Sequence, residues 1–194
     1  MKAVLASGNA GKVREFAQLL AARDIEVIPQ TAFGLTTPAE TGATFLDNAL
    51  LKARHAAGAT GLAALADDSG IEVDALGGRP GVWSARYAGE GASDADNLAL
   101  LLRELADVPE PRRGARYRCV LVFLRQPADP APVVASGVWE GHILSAPRGT
   151  GGFGYDPIFQ PAGLALAVAE LPAQEKNRIS HRAQALRALL AALP

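Results

Sequence analysis

The sequence predicts an α/β fold, a sheet of mixed strand directions flanked by helices. Three observations support it. Short apolar runs alternate with segments whose apolar residues recur at helical spacing, and Ser/Thr-x-x-Asp signatures stand ahead of two helical segments. The strand-like runs 116–124 and 133–139 are joined by a loop containing Gln126-Pro127-Ala128-Asp129-Pro130, which suits an antiparallel pair. At 194 residues and 49% hydrophobic content, the chain is long enough for one core and is expected to form a single domain, 1–194, with two lobes. No internal repeat, low-complexity tail or linker interrupts it.

The first apolar run, 3–6, ends at Ser7-Gly8-Asn9-Ala10-Gly11, after which Val13, Phe16, Ala17 and Leu20 recur with helical period. Residues 25–28 form a second strand, and 29–39 are turn-rich and expected to be exposed. Thr44 and Asp47 box the start of a helix that runs to about Ala57, with Gly58 as its stop. On it, Leu46, Leu50, Ala53 and Ala57 are expected to share the buried face, with Phe45, Asn48, Lys52 and His55 on the neighbouring stripe. A buried strand at 62–66 then delivers Asp67-Asp68-Ser69-Gly70 at its C-terminal end. After the glycine- and arginine-bearing segment 77–91, Ser93 and Asp96 cap a helix striped by Leu98, Leu101, Leu102 and Leu105 and ended by Pro109. Ser180 caps a last helix carrying Leu186, Leu189 and Leu190.

Composition excludes several classes. A formal net charge of −1 gives no long-range attraction for a polyanion, so nucleic acid is not an expected partner, and any phosphate must be held by local groups. Cys119 stands alone, which rules out an internal disulfide or a cysteine-based zinc site and fits a reducing, cytoplasmic setting. Nowhere do about 18 consecutive apolar residues occur, so no membrane helix is expected.

A cation in the first turn of a helix opposes the helix dipole by roughly 0.3–1 kcal/mol unless an anion lies nearby. This chain does it twice: Lys12 follows the glycine loop, and His181 and Arg182 follow Ser180, with Lys176 and Arg178 just upstream. Each start is expected to face a phosphate or another electron-rich group. A surface lysine and a solvated basic helix end are the alternative. The loop is neither a Walker A motif nor a Rossmann fingerprint. Lys52 either reaches a polyphosphate from the side or belongs to a solvated helix flank.

Asp67 and Asp68, at the carboxyl end of a buried strand, lie where open α/β sheets bind ligands. Adjacent strand residues point to opposite faces, so the two have separate jobs: one binds a hard cation or takes a proton from water, the other holds a lysine or an N–H. Glu40 is a further oxygen ligand. This oxygen-rich set suits Mg²⁺ with retained waters rather than zinc. An acidic turn capping a strand is the plain alternative.

Gly149-Thr150-Gly151-Gly152-Phe153-Gly154-Tyr155-Asp156-Pro157 holds four glycines, two aromatic rings and a carboxylate in nine residues. Such a stretch is no helix, and it suits either a pocket for a planar, hydrogen-bonding ligand such as a nucleobase or a glycine-rich turn with both rings in the core.

Together, Ser7-Gly8-Asn9-Ala10-Gly11-Lys12, Glu40-Thr41-Gly42 with Phe45, Asn48, Ala49 and Lys52, Asp67-Asp68-Ser69-Gly70, Ser84-Ala85-Arg86-Tyr87, Gly151 to Pro157, and Lys176 with Ser180-His181-Arg182 resemble the HAM1/RdgB-type purine nucleoside triphosphate pyrophosphatases, the ITPase family. They occur in the family's order over essentially the full length. The resemblance implies an ITPase-like (Maf/HAM1) α/β fold with a mixed curved sheet and flanking helices, forming two lobes around a central cleft. It implies a homodimer, Mg²⁺ dependence, and hydrolysis of dITP, ITP and XTP to the monophosphate and pyrophosphate. Carried over by position, Ser7, Gly8, Asn9, Ala10, Gly11, Lys12, Lys52 and Ser69 hold the triphosphate. Asp68 is general base and, with Glu40, metal ligand, and Lys52 belongs to the catalytic pair. Phe153, Gly154, Tyr155, Asp156, Lys176, His181 and Arg182 surround the base. Ser7 stands where the family often has threonine, and Ala39 where some members carry a second acid. The alternatives are a nucleotide-binding sensor without chemistry, which has no use for Asp68, and a phosphotransferase, which needs an acceptor site.

Overall fold

The computed structural model describes residues 1–21 and 25–193, with the side chains of Ala10, Glu15, Gln18, Leu19 and Ala21 outside the described set. In chain order the elements are β1 (Lys2–Leu5), α1 (Ala10–Ala21), β2 (Glu26–Pro29), α2 (Phe45–Thr60), β3 (Ala63–Val73), α3 (Asp94–Glu104), β4 (Gly114–Leu124), β5 (Val133–Ile143), β6 (Phe159–Pro161), α4 (Ala173–Ile179) and α5 (His181–Ala192). The strands form one sheet in the order β2-β1-β3-β4-β5-β6. It is mixed, as expected: β1 runs parallel to β2 and β3, and β5 runs antiparallel to β6. The connection 125–132 between neighbours β4 and β5 is too short for a parallel crossover. Among the described residues, no helix is long and apolar enough to cross a membrane.

The chain groups into two compact units: unit 1 is Met1–Asp68, Cys119–Ser136 and Ala185–Pro194, and unit 2 is Ser69–Arg118 and Gly137–Gln184.

In unit 1 the strand alternation of β1 splits the core into two layers. Ala3 and Leu5 join Phe16 and Leu20 of α1 and Leu186 and Leu189 of α5, while Val4 and Ala6 join Ala49, Ala53, Ala56 and Ala57 of α2. The second layer is nearly all small, so a larger residue there would overpack it. The face expected for α2 holds in part, since Ala53 and Ala57 are buried and Leu50 packs partly against this layer. Leu46 is 38% exposed and His55 is exposed, whereas Asn48 and Lys52 are buried beside the alanines. The alanine stripe packs inward because it lets helix and sheet approach closely, and leucine branching loses that competition.

Gly58 does not stop α2 either. The Thr44–Asp47 capping box opens the helix as expected, but it continues to Thr60 and closes at Gly61, which adopts φ 70° and donates its N–H to the Ala57 carbonyl. Gly58 lacks the left-handed conformation that a glycine stop uses.

A second correction concerns the acids. Asp67-Asp68-Ser69-Gly70 is not a turn at a strand end but the middle of β3. Pairing with β1 stops at Leu5↔Leu65, so β3 runs on past the carboxyl end of β1. Beyond the acids, the Ile71 N–H donates to Ser84 Oγ at 2.9 Å and the Val73 N–H to the Arg79 carbonyl at 3.2 Å, which keeps the strand extended.

Unit 2 has its own core, in which Ile71, Val73, Tyr117, Trp139, Ile143 and Phe159 pack with Leu101, Leu105 and Val168. The Ser93–Asp96 box caps α3 as expected. The helix ends at Glu104, before Pro109, and the buried Arg113 guanidinium donates to the carbonyls of Leu105 (2.9 Å) and Val108 (2.8 Å) beyond it. The short β6 and α4 carried no sequence expectation. Gln30, in the 3-10 turn Gln30–Phe33, is buried within a segment expected to be exposed, and its amide donates to Thr37 Oγ1 at 2.7 Å.

Candidate active site

Unit 1 gathers three carboxylates and two ammonium groups. The loop after β1 is built by its own side chains: the Asn9 N–H donates to Ser7 Oγ at 3.2 Å, and Asn9 Oδ1 accepts the Lys12 N–H at 3.0 Å. Asn9 thereby caps α1. Ala10 and Gly11 fall in its first turn. Lys12 Nζ lies 2.8 Å from Asp67 Oδ2, and Asp67 is buried. The cation at this helix start therefore has an electron-rich partner inside the protein, which accounts for its placement against the dipole.

Asp68 takes the other face of β3, as alternation requires. Its Oδ1 accepts from Lys52 Nζ at 2.7 Å and its Oδ2 from Asn48 Nδ2 at 3.3 Å. Lys52 Nζ also donates to Glu40 Oε1 at 2.8 Å. Burial raises the Asp68 carboxyl above the usual aspartate range, and Lys52 opposes that rise only in part. For Lys52, burial acts downward, but Asp67, Asp68 and Glu40 outweigh it and the ammonium is raised. A lysine this buried keeps its charge because carboxylates surround it.

The charge balance has a consequence. Lys12 and Lys52 face Asp67, Asp68 and Glu40, so both lysines of this group are already engaged by carboxylates. A polyphosphate approaching this group needs added positive charge. Among the described residues no three His, Cys, Asp or Glu side chains gather into a metal cluster. Glu40 and Asp68 form an oxygen-only pair around one cation, the donor set of an ion that keeps most of its waters.

Unit 2 gathers aromatic rings and cations. In the loop before β6, Gly149, Gly152 and Gly154 adopt positive φ. A Cβ on Gly152 would lie 2.0 Å from Asp156 Oδ2, so only glycine admits that carboxylate. Asp156 is buried and accepts from the Phe153 N–H (2.9 Å), Lys176 Nζ (2.5 Å) and the Tyr117 hydroxyl (3.2 Å). The two rings of the loop separate. Tyr155 packs in the core with its hydroxyl on the Ser84 carbonyl at 2.8 Å, while Phe153 is 41% exposed. Lys176, set by α4, lies 4.4 Å from the Phe153 ring centre, and the Arg182 guanidinium lies 5.9 Å from it. His181 stacks on Tyr117 with ring centres 4.7 Å apart and planes 7° apart. Ser180 caps α5, its Oγ accepting the Ala183 N–H at 3.3 Å.

The structure thus brings Lys12, Glu40, Lys52, Asp67 and Asp68 together in unit 1, and Phe153, Asp156, Lys176, His181 and Arg182 together in unit 2. Ser7 and Asn9 serve the loop turn, and Ser69 follows Asp68 in β3. Sequence reasoning assigned no role to Tyr117, which touches both His181 and Asp156, because it reads as one more alternating strand residue. Asn48, expected on the stripe beside the buried face, is itself buried, and its partner Asp68 comes from another element.

The comparisons agree with this fold. The model of the Ham1 family matches residues 3–192. A dITP/XTP pyrophosphatase of Shigella flexneri is 57% identical over 192 residues, covering 99% of this chain and 98% of the relative. One of Methylococcus capsulatus is also 57% identical over 192 residues, covering 99% and 96%. The solved structure of a HAM1 protein from Coxiella burnetii superimposes with a TM-score of 0.92 at 48% identity, covering 99% of this chain and 98% of the other. With the family model and these relatives matching almost end to end, this chain belongs to the Ham1 family.

Proposed function

We propose that the chain hydrolyses noncanonical purine nucleoside triphosphates, dITP, ITP and XTP, to the monophosphate and pyrophosphate. The relatives named dITP/XTP pyrophosphatase, 57% identical over nearly the whole chain, support the reaction class and the substrate class. The observation that carries the chemistry is Lys52 held between Glu40 and Asp68, which sets a buried cation and two carboxylates in one place.

Glu40 and Asp68 would hold a hard divalent cation, Mg²⁺ in this reading. When bound, it supplies neutralising charge and polarises phosphoryl oxygens. The Asp68 carboxyl, raised by burial, is a better base than an ordinary aspartate and takes a proton from water. The water oxygen forms a bond to the α-phosphorus, the bond from that phosphorus to the bridging oxygen breaks, and pyrophosphate leaves. Lys52 orients Asp68 and offsets charge on the phosphoryl group. Lys12, Ser69 and the Ser7 to Lys12 loop bind the remaining phosphates.

In unit 2, Phe153 offers an exposed face to a purine, and Lys176, His181 and Arg182 offer donors to a 6-oxo group. Adenine presents a donor there, which leaves a buried cation opposed by N–H. Asp156 holds Lys176 for that contact. A nucleotide sensor without chemistry needs no buried carboxylate braced by lysine. The family resemblance also leads us to propose a cytoplasmic homodimer, checked by light scattering.

The test is pyrophosphate release across natural and deaminated triphosphates with Mg²⁺. Turnover of dITP and XTP well above that of dATP and dGTP is expected. Equal turnover of all purines would contradict the selectivity, and orthophosphate as the product would contradict the reaction.

A further inference from the structure

Asn48 is fully buried on α2, and both ends of its amide are engaged. The Gly42 N–H donates to Oδ1 at 2.8 Å, and Nδ2 donates to Asp68 Oδ2 at 3.3 Å. The orientation is chemically fixed: an N–H can only donate, so the atom facing Gly42 must be the oxygen. One turn further along the helix, Lys52 donates to the other Asp68 oxygen and to Glu40. One helix face therefore grips both oxygens of Asp68 and hooks the segment 40–42 at two points. Gly42 leaves no room for a side chain, because a Cβ there would lie 2.5 Å from Asp47 Cβ and 2.7 Å from Asn48 Oδ1.

Only an amide offers a donor and an acceptor across that span. An aspartate would set a second carboxylate against Asp68, and a leucine would deprive the Gly42 N–H and Asp68 Oδ2 of these bonds. We propose that Asn48 is the positioning residue of the reaction: it sets the rotation of the Asp68 carboxylate and ties the Glu40 segment to it. The inference rests on the reading of Asp68 as base.

Asn48→Asp tests it, because aspartate keeps the shape and the acceptor for Gly42 while removing the donor to Asp68. For dITP with Mg²⁺, kcat per folded molecule should fall by about tenfold or more, with KM within about threefold. Adding Asp68→Asn reverses the polarity of the pair; the double variant should regain the melting temperature that Asn48→Asp loses and recover no kcat. An Asn48→Asp protein with a lowered melting temperature and kcat within about twofold of the parent would overturn the proposal and leave a structural role only. If Asn48→Asp fails to fold, Gly42→Ala displaces the same amide from the loop side. There too a tenfold loss of kcat supports the proposal, and an unchanged kcat overturns it. A parent protein that releases no pyrophosphate from dITP would instead overturn the reading beneath.

Discussion

Lys12 Nζ lies 2.8 Å from Asp67 Oδ2, and Asp67 is almost wholly buried. Removing the lysine alone weakens the charge compensation of a buried carboxylate that Lys52 also serves, which costs on the order of 1–3 kcal/mol. Lys12→Met should therefore lower the urea midpoint sharply, and Lys12→Met with Asp67→Asn should recover most of the loss. If Lys12 also binds the triphosphate, the double variant regains stability while its KM for dITP stays raised by about tenfold or more.

The two glycines near the end of α2 make opposite predictions. A Cβ on Gly58 meets nothing within 4 Å, and the residue sits in helical conformation, so Gly58→Ala should stabilise by about 0.5–1 kcal/mol. Gly61 holds φ 70°, so Gly61→Ala should destabilise by about 1–2 kcal/mol. Thermal melts of both variants check the pair.

Asp156 holds Lys176 at 2.5 Å beneath the exposed Phe153 ring. Asp156→Asn keeps the shape and removes the charge that fixes the ammonium. The expected result is a fall in kcat/KM for dITP of about tenfold or more, with a smaller fall for dATP, so that discrimination narrows. Steady-state kinetics on both substrates provide the check.

Asp129 supplies a pH-dependent prediction. It accepts the N–H of Arg125 (2.9 Å) and of Ala131 (3.0 Å) in the β4–β5 connection, and these bonds hold its carboxyl below the usual range. A lowered pKa adds stability above the unfolded-state value of about 3.9, and that stability is lost as pH falls through the folded value. Asp129→Asn should therefore be less stable than the parent at pH 7. The gap should close toward pH 3, as read from urea midpoints at the two pH values.

Much of this was legible where local chemistry decides. The Thr44–Asp47 and Ser93–Asp96 boxes each need only four residues, and both open helices as expected. The separate partners of Asp67 and Asp68 follow from strand alternation alone. Tertiary pairing hid the rest. Asp-Asp-Ser-Gly has turn composition, yet β3 continues through it because Ser84 and Arg79 take up its edge where β1 ends. On α2 the exposure of Leu46 and the burial of Asn48 and Lys52 are not legible, because leucine outranks alanine in burial propensity, whereas an alanine-lined sheet selects alanine. Lys52 reads as a solvated flank until the carboxylates from Glu40 and β3 are in place around it. Tyr117 gave no signal, since its partners His181 and Asp156 are remote in sequence.

The central claim is that Asp68 takes the proton from the attacking water, with Lys52 and Glu40 arranged around it. The most direct measurement is the rate of pyrophosphate release from dITP with Mg²⁺, by the parent protein and by Asp68→Asn of matched melting temperature. The account predicts ready release by the parent and a loss of about 10²-fold or more in the variant. Release by Asp68→Asn within a fewfold of the parent would contradict it.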